Sequence, residues 1–346
     1  MHKSRLAIAF LLVLVSIFVF FSLNLILGTI SIPLKSVWNI LLGMDGESLI
    51  WQNIVWKTRF PQTLTALLAG AGLAISGLQM QTLFRNPLAG PAELGISSGA
   101  SLGVALVVLM SGNVGGLILS RMGIVGDMTV TAFAIAGSFT VMFLIIAFSH
   151  RIKGNVVLLI MGVMIGYIAN AIIGVLKYFS SDEDVKAYVI WGLGSFAKVT
   201  TAQLPYFVVA MLILIASSCL LVKTLNLLLL GDNYARNLGL NIRRARFFVI
   251  VSACTLTAIT TAYCGPILFL GLAVPHLCRS VFQTSDHRIL LPAVILTGAS
   301  LALFCSLIAR MPGIEGALPV NSVTALIGAP IAITILFRKR RNELAV

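Results

Sequence analysis

Gly162, Gly166, Asn170 and Gly174 recur at every fourth position of one apolar stretch, with Met161 and Met164 beside them. Four residues are just over one helical turn, so the set shares a face. The chemistry open to such a face is non-covalent. Small residues let a second backbone approach closely, or they border a smooth, weakly gripping passage, and the spacing alone allows both. Gly95, Gly99 and Gly103 form a second ladder of two overlapping GxxxG units, for which close helix packing is the favoured reading. Residues suited to covalent or metal chemistry are few. His276, in "VPHLC", is the only histidine in an apolar segment, and beside Pro275 it is expected to be a hydrogen-bonded kink residue rather than a ligand. Cys219, Cys254, Cys264, Cys278 and Cys305 lie in apolar stretches without CxxC spacing and are expected to be small buried hydrophobes. None of the nine lysines follows a glycine, so there is no Walker A loop, and HExxH is absent. No catalytic residue, metal site or directly bound cofactor is expected. The apolar stretches also lack, in their middles, the titratable relay that a proton-driven pump needs.

The elements that position these residues follow from composition. The chain has 346 residues, 59% of them hydrophobic and 10% charged, and its mean hydropathy is +1.03. Soluble domains carry about 25% charged residues, so an all-α polytopic membrane protein is expected, with 1–346 as a single membrane domain. Windows of about twenty residues mark about ten spans: 6–27, 62–83, 93–111, 127–148, 156–176, 203–222, 247–263, 266–283, 289–309 and 320–337. The two prolines of "CGPILFLGLAVPHLC" make the eighth the weakest helix. The first, after a basic start and with no small-x-small cleavage site, is expected to be an uncleaved span rather than a signal peptide. With the N-terminus inside, 16 of the 24 basic residues fall on the cytoplasmic side, and 7 of the 11 acidic ones fall outside. That bias places both termini in the cytoplasm. It also accounts for the net charge of +13 without a nucleic-acid partner.

One cytoplasmic loop, 223–246, is long enough to be more than a turn. Its "NLLLLGDNYARNLGL" has near-helical apolar spacing around Asp232, Tyr234 and Arg236, which predicts short amphipathic helices against the membrane or a partner. "AGPAELG" (89–95) and "CGPILFLG" (264–271) echo one another, a hint of an internal inverted repeat.

Four segments together resemble the FecCD family of ABC-importer permeases, which carry iron–siderophore complexes, haem and cobalamin. They are "RFPQTLTALLAGAGLAISGLQMQTLFRNPLAGPAELGISSGASLG", "GDNYARNLGLNIRRAR", "CGPILFLGLAVPHLCR" and "LPVNSVTALIGAPIAITILFRKRR", and the resemblance runs from about Arg59 to Arg338. It implies a non-enzymatic, ten-span subunit of the cell (inner) membrane that works as a homodimer, or with a related permease, around a central passage. Two ATPase subunits bind below, carrying the ATP, and an extracytoplasmic substrate-binding protein docks above. Gly231, Asp232, Ala235, Arg236, Leu238 and Gly239 match the segment that couples to the ATPases. The fifth span, with Met161, Gly162, Met164, Gly166, Asn170 and Gly174, and the following "YVIWGLGSF" match the passage lining. Arg59 and Arg310 match outward arginines that pair with acids on the binding protein. Gln62 stands where some members have a second arginine, whose contact Lys57 would supply, and Ala317 and Glu315 depart from the Glu that commonly precedes Leu-Pro. The implied cargo is a bulky metal chelate, with an iron–siderophore complex or haem placed before cobalamin because iron complexes are the family's commonest cargo. A membrane-embedded enzyme would need a nucleophile–base pair or a metal cluster, and a passive channel would need neither coupling loop nor docking face.

Overall fold

A computed structural model describes residues 2–28, 30–44, 47–92, 94–110, 124–149, 155–311 and 317–343. Among these residues the structure is helical, with no strand. In chain order the helices are α1 (His2–Ile26), α2 (Leu34–Leu41), α3 (Leu49–Ile54), α4 (Phe60–Phe84), α5 (Ile96–Met110), α6 (Ile124–Ser149), α7 (Asn155–Tyr178), α8 (Asp182–Gly192), α9 (Leu204–Cys219), α10 (Val222–Leu229), α11 (Asp232–Asn237), α12 (Ile242–Cys264), α13 (Leu270–Phe282), α14 (His287–Ala309) and α15 (Val320–Glu343). A helix occupies each expected span. Six are long and apolar enough to cross a membrane, and α9 and α10 together make a seventh with a 50° bend. The shorter apolar helices are α5, α13 and the first part of α15. The shortness of α13 has the expected cause: Pro266 falls before the helix, Phe269 takes a left-handed conformation at its start, and Pro275 lies inside it.

The centre of the bundle is α4. It continues from α3 through one π-helical turn, Val55–Arg59, and is buried along most of its length. "LTALLAGAGLAISGL" supplies small side chains, so α9, α12, α13 and α14 all pack on it. At its closest crossings glycine meets glycine. A Cβ added at Gly77 would overlap the carbonyl of Gly271 on α13, and one at Gly298 on α14 would lie 2.6 Å from the carbonyl oxygen of Gly70. Three buried polar side chains of α4 find partners on neighbouring helices. Ser76 Oγ donates to Ala253 O at 2.7 Å, Gln79 Nε2 donates to Ser252 Oγ at 3.0 Å, and Gln81 Oε1 accepts from Arg279 Nη1 at 2.7 Å. Unpartnered, such groups would each cost roughly 1–3 kcal/mol in a dry interior. They fix the rotation of α4 against its neighbours as well as its depth.

Helix α1 packs along α14, where Ser16 Oγ lies 2.7 Å from Ser300 Oγ and Asn24 Nδ2 donates to Leu303 O at 2.9 Å. Four of the cysteines are buried as expected, but Cys219 is exposed at the end of α9. An apolar neighbourhood in such a sequence marks a lipid-facing surface as readily as a protein core.

The turn into α14 joins it to α10. Asp286 caps α14 by accepting from the Arg288 backbone N–H at 2.9 Å, and it also accepts from Asn226 Nδ2 at 2.7 Å. Those two bonds hold its carboxyl below the usual carboxylate range. Because the folded value is the lower one, the stability contributed is present above about pH 4 and is lost as pH falls through the folded value. Asp286→Ala should therefore cost about 1 kcal/mol near neutrality. Melting curves of the detergent-solubilised protein should show the gap between variant and parent closing as pH falls toward 3.

Candidate functional site

On α7 the expected small-residue face divides in two. Gly162 and Gly166 are buried against the start of α5: a Cβ at Gly162 would lie 2.7 Å from Leu94 Cα, and one at Gly95 would lie 2.8 Å from Gly162 O. Gly162 is a packing contact, whereas Gly166 also borders the cavity beside Asn170, so only Gly162 leaves the expected lining face. Gly95, just before α5, is the member of the other ladder that joins this crossing. Met164, Asn170 and Gly174 are exposed, Met161 is half-buried, and a Cβ at Gly174 would meet nothing within 4 Å. A cavity of 240 Å³ opens beside Asn170 and Tyr167, with Ser98 and Gly95 of the α5 side as its far wall. Tyr167, Ile168, Ile172 and Val175 continue the exposed apolar surface of α7. Gly99 and Gly103 approach α6 instead, at Gly137 and Phe133, which bears out the packing reading of that ladder.

The expected coupling loop is two short helices, α10 and α11, as its apolar spacing predicts. Gly231 precedes α11 at φ +108° and Gly239 follows it at φ +87°, conformations that L side chains rarely adopt. A Cβ at Gly231 would also come within 3.0 Å of Arg85 Nη2. Asp232 Oδ2 accepts from Arg246 Nη2 on α12 at 2.5 Å, and its Oδ1 lies 3.6 Å from Arg85 Nη2. Arg85 itself ends α4 in a left-handed conformation, φ +48°. Asp232 thus ties α11 to α12 and to the end of the central helix. Ala235 is fully buried, whereas Tyr234, Arg236, Leu238 and Gly239 are exposed. Of the residues expected to couple, Asp232 and Ala235 are anchors, and Arg236, Leu238 and Gly239 form the outward face.

A second tie was not legible in the sequence. His287, buried at the start of α14, places Nδ1 2.8 Å from Asn226 Oδ1 and Nε2 2.9 Å from Thr82 Oγ1. Asn226 therefore links α10 to α14, and His287 carries the link to α4. The position just after Asp286, a capping residue type, was the one available clue. His276 behaves as expected, with Nε2 2.7 Å from Pro87 O in the turn before α5.

At the opposite end, the three expected docking residues turn inward. Arg59 is 4% exposed, and its guanidinium donates to the carbonyls of Leu25, Ile26 and Ile30, satisfying the open C-terminal end of α1. Gln62 is buried on the first turns of α4. Arg310, half-buried, donates to Asn24 Oδ1. Desolvation, and then the neighbouring Arg59 charge, lowers Arg310 to about 10, so it stays protonated at neutral pH. Lys57, two residues before Arg59, is exposed. Glu93 and Glu315 lie outside the described residues. Among the described residues no group of three or more His, Cys, Asp or Glu could hold a metal ion.

The two Gly-Pro segments meet. Gly90 and Pro91 before α5, and Ile267 to Phe269 before α13, line one cavity of 100 Å³ against Leu73 of α4. Both chain breaks therefore abut the central helix at one level.

Comparison with known proteins agrees with this architecture. The vitamin B12 import system permease protein BtuC of Klebsiella pneumoniae is 38% identical over 290 residues, 84% of each chain. The hemin transport system permease protein HmuU of Yersinia pestis is 37% identical and covers 99% of this chain and 98% of its own. A solved structure assigned to the metal-chelate type of ABC transporter, in an inward-facing conformation, superposes with a TM-score of 0.82 at 28% identity, covering 96% of this chain and 99% of that one. The FecCD transport family matches residues 13–338. This multi-pass membrane protein, built around a glycine-packed central helix, belongs to the FecCD transport family.

Proposed function

We propose that the chain is the permease subunit of an ATP-driven importer that carries a bulky metal chelate inward across the cell membrane. The match to a transport family over residues 13–338 carries this reading. Its relatives move vitamin B12 and hemin, both large metal-bearing macrocycles, and a cargo of that chemical class fits the weakly polar face around Asn170. All ten membrane helices span the bilayer with both termini in the cytoplasm, following the basic bias of the loops. Two copies enclose the passage with their α7 faces, whose exposed apolar residues need cover. ATP is bound and hydrolysed on separate ATPase subunits that seat against Tyr234, Arg236 and Leu238, and their closure reaches the spans through α10 and α11. Reconstitution with the cognate ATPase and binding protein tests the proposal. ATP-dependent uptake of hemin, cyanocobalamin or a ferric siderophore into proteoliposomes is expected, and no uptake of any of them with any cognate set would overturn it.

An extracytoplasmic binding protein docks at the end bearing Lys57 and Arg310, with Arg59 and Gln62 holding the surface beneath. Arg310→Glu is expected to weaken binding-protein affinity about tenfold, in keeping with one lost charge-assisted contact of about 1.5 kcal/mol, and to leave ATPase co-purification intact. Because Arg310 also bonds Asn24, the control is Asn24→Ala. An equal loss of affinity in that variant, read by surface plasmon resonance, would assign the effect to the α1 contact and remove the docking role.

A further inference from the structure

A cavity of 380 Å³ lies where α5, α6, α8 and α12 converge, closed on one side by the turn before α9. No α7 residue lines it. Its walls include Val104 and Val130, and its polar groups are Asp127 on the first turn of α6, Thr131, Lys198, Gln203, Tyr263 and the Trp191 ring. The two charges stand apart, since Asp127 and Lys198 form no ion pair with one another. Lys198 Nζ donates to Trp191 O at 2.7 Å and to Ile190 O at 3.3 Å, which holds it in place at the end of α8 with one proton to spare. Burial pushes this ammonium down to about 8, the behaviour of a desolvated cation with no anion against it. Gln203, almost fully buried, accepts from Thr200 N through Oε1 at 3.3 Å, and its amide NH2 remains as a second donor.

We propose that this cavity holds the headgroup of a zwitterionic phospholipid with a primary amine, its phosphate on Lys198 and Gln203 and its ammonium on Asp127. Two opposite charges on separate walls match one molecule carrying both. They do not match an anionic headgroup, which Asp127 would repel. A quaternary ammonium has no N–H to donate to the Asp127 carboxylate, so choline lipids are the weaker ligands. A lipid is the source rather than a soluble solute because the flanking outer ends of α6 and α9 expose Met128, Phe133, Tyr206 and Val209, an apolar track for acyl chains. The site shares Ile190 and Trp191 with the segment expected to line the passage but takes no residue from α7, so the lipid is a structural ligand beside the passage and not its cargo.

The test uses the full chain, purified from vesicles of equal palmitoyl-oleoyl phosphatidylethanolamine, phosphatidylcholine and phosphatidylglycerol, and reads retained lipid by native mass spectrometry. Wild type should retain the ethanolamine lipid in about tenfold excess, the effect of one charge-assisted contact. Asp127→Asn should bring the ratio to the choline lipid near one, and Lys198→Gln should lower retention of all three. Lys198→Arg should keep the preference. Equal retention by wild type, or an undiminished preference in Asp127→Asn, would overturn the inference. Asp127 is exposed, so that variant decides the matter if Lys198→Gln fails to fold. A tenfold excess of soluble phosphorylethanolamine should leave lipid retention unchanged, and its displacement of the lipid would reassign the site to a solute.

Discussion

Asp232→Arg is expected to abolish ATP-dependent uptake, with at least a hundredfold loss, while the protein still reaches the membrane. The reason lies in what the carboxylate holds. Its bond to Arg246 is short, and Arg246 is the better-buried partner, its side chain 17% exposed against 44% for Arg85. Charge-assisted bonds of this kind contribute about 1.5–3 kcal/mol, whereas the half-exposed Arg85 pair adds little once solvent screening is counted. Arginine at 232 would replace that attraction with three guanidinium groups around one point, and α11 would be driven from α12 and from the end of α4. Asp232→Asn removes the charge but keeps an acceptor, so a loss of about tenfold is expected, near 1.4 kcal/mol. Arg246→Ala should resemble Asp232→Asn, and Arg85→Ala should be milder. The exchanged pair Asp232→Arg with Arg246→Asp should regain part of the uptake. Proteoliposome uptake together with ATPase co-purification distinguishes the outcomes. Wild-type uptake by Asp232→Arg would remove Asp232 from the coupling path, and a double exchange no better than the single change would show that the ion pair is not the reason.

Hydropathy made the helices legible and left their faces illegible. A window of twenty apolar residues reports a medium without water, and lipid and protein interior look alike to it. Cys219 therefore read as buried, and Gly162 and Gly166 read as part of the same face as Asn170, although two of these three meet α5 and one meets open space. Charge could be counted along the loops, but counting does not report contact. Arg59 read as an outward docking residue, yet it satisfies the carbonyl end of α1, a need created by a helix 33 residues earlier in the chain. The short helices α10 and α11 were readable because their apolar spacing is local. Its ties through Asn226 and His287 were not, since those partners are about 61 residues apart and each is an ordinary polar residue in isolation. The outer helices α2, α3 and α8 fell below any span-length window.

Gly77→Ala should be the most destructive single methyl among the described glycines. On α4, Gly77 meets the backbone of Gly271 on α13, and an added Cβ would overlap its carbonyl group, where no side chain can rotate away. The helices must separate, and Gly271 is itself confined, since a Cβ built on it would lie 3.3 Å from Pro91 Cδ in the turn before α5. Overpacking a close interior costs about 1–3 kcal/mol and sometimes more. Here it would also part Gln81 from the carbonyls of Gly271 and Leu272 and loosen its bond to Arg279. A loss of about 3 kcal/mol or more is therefore expected, a large share of the 5–15 kcal/mol by which folded proteins are stable. Gly174→Ala is the matched control, the same methyl on an apolar helix with nothing within 4 Å, and alanine's helix propensity should leave it neutral or slightly stabilised. Monodisperse yield and melting temperature in detergent separate the two. If Gly77→Ala melts with Gly174→Ala and the parent, then α4 and α13 do not cross backbone to backbone, and the close glycine crossing is not what holds the central helix in place.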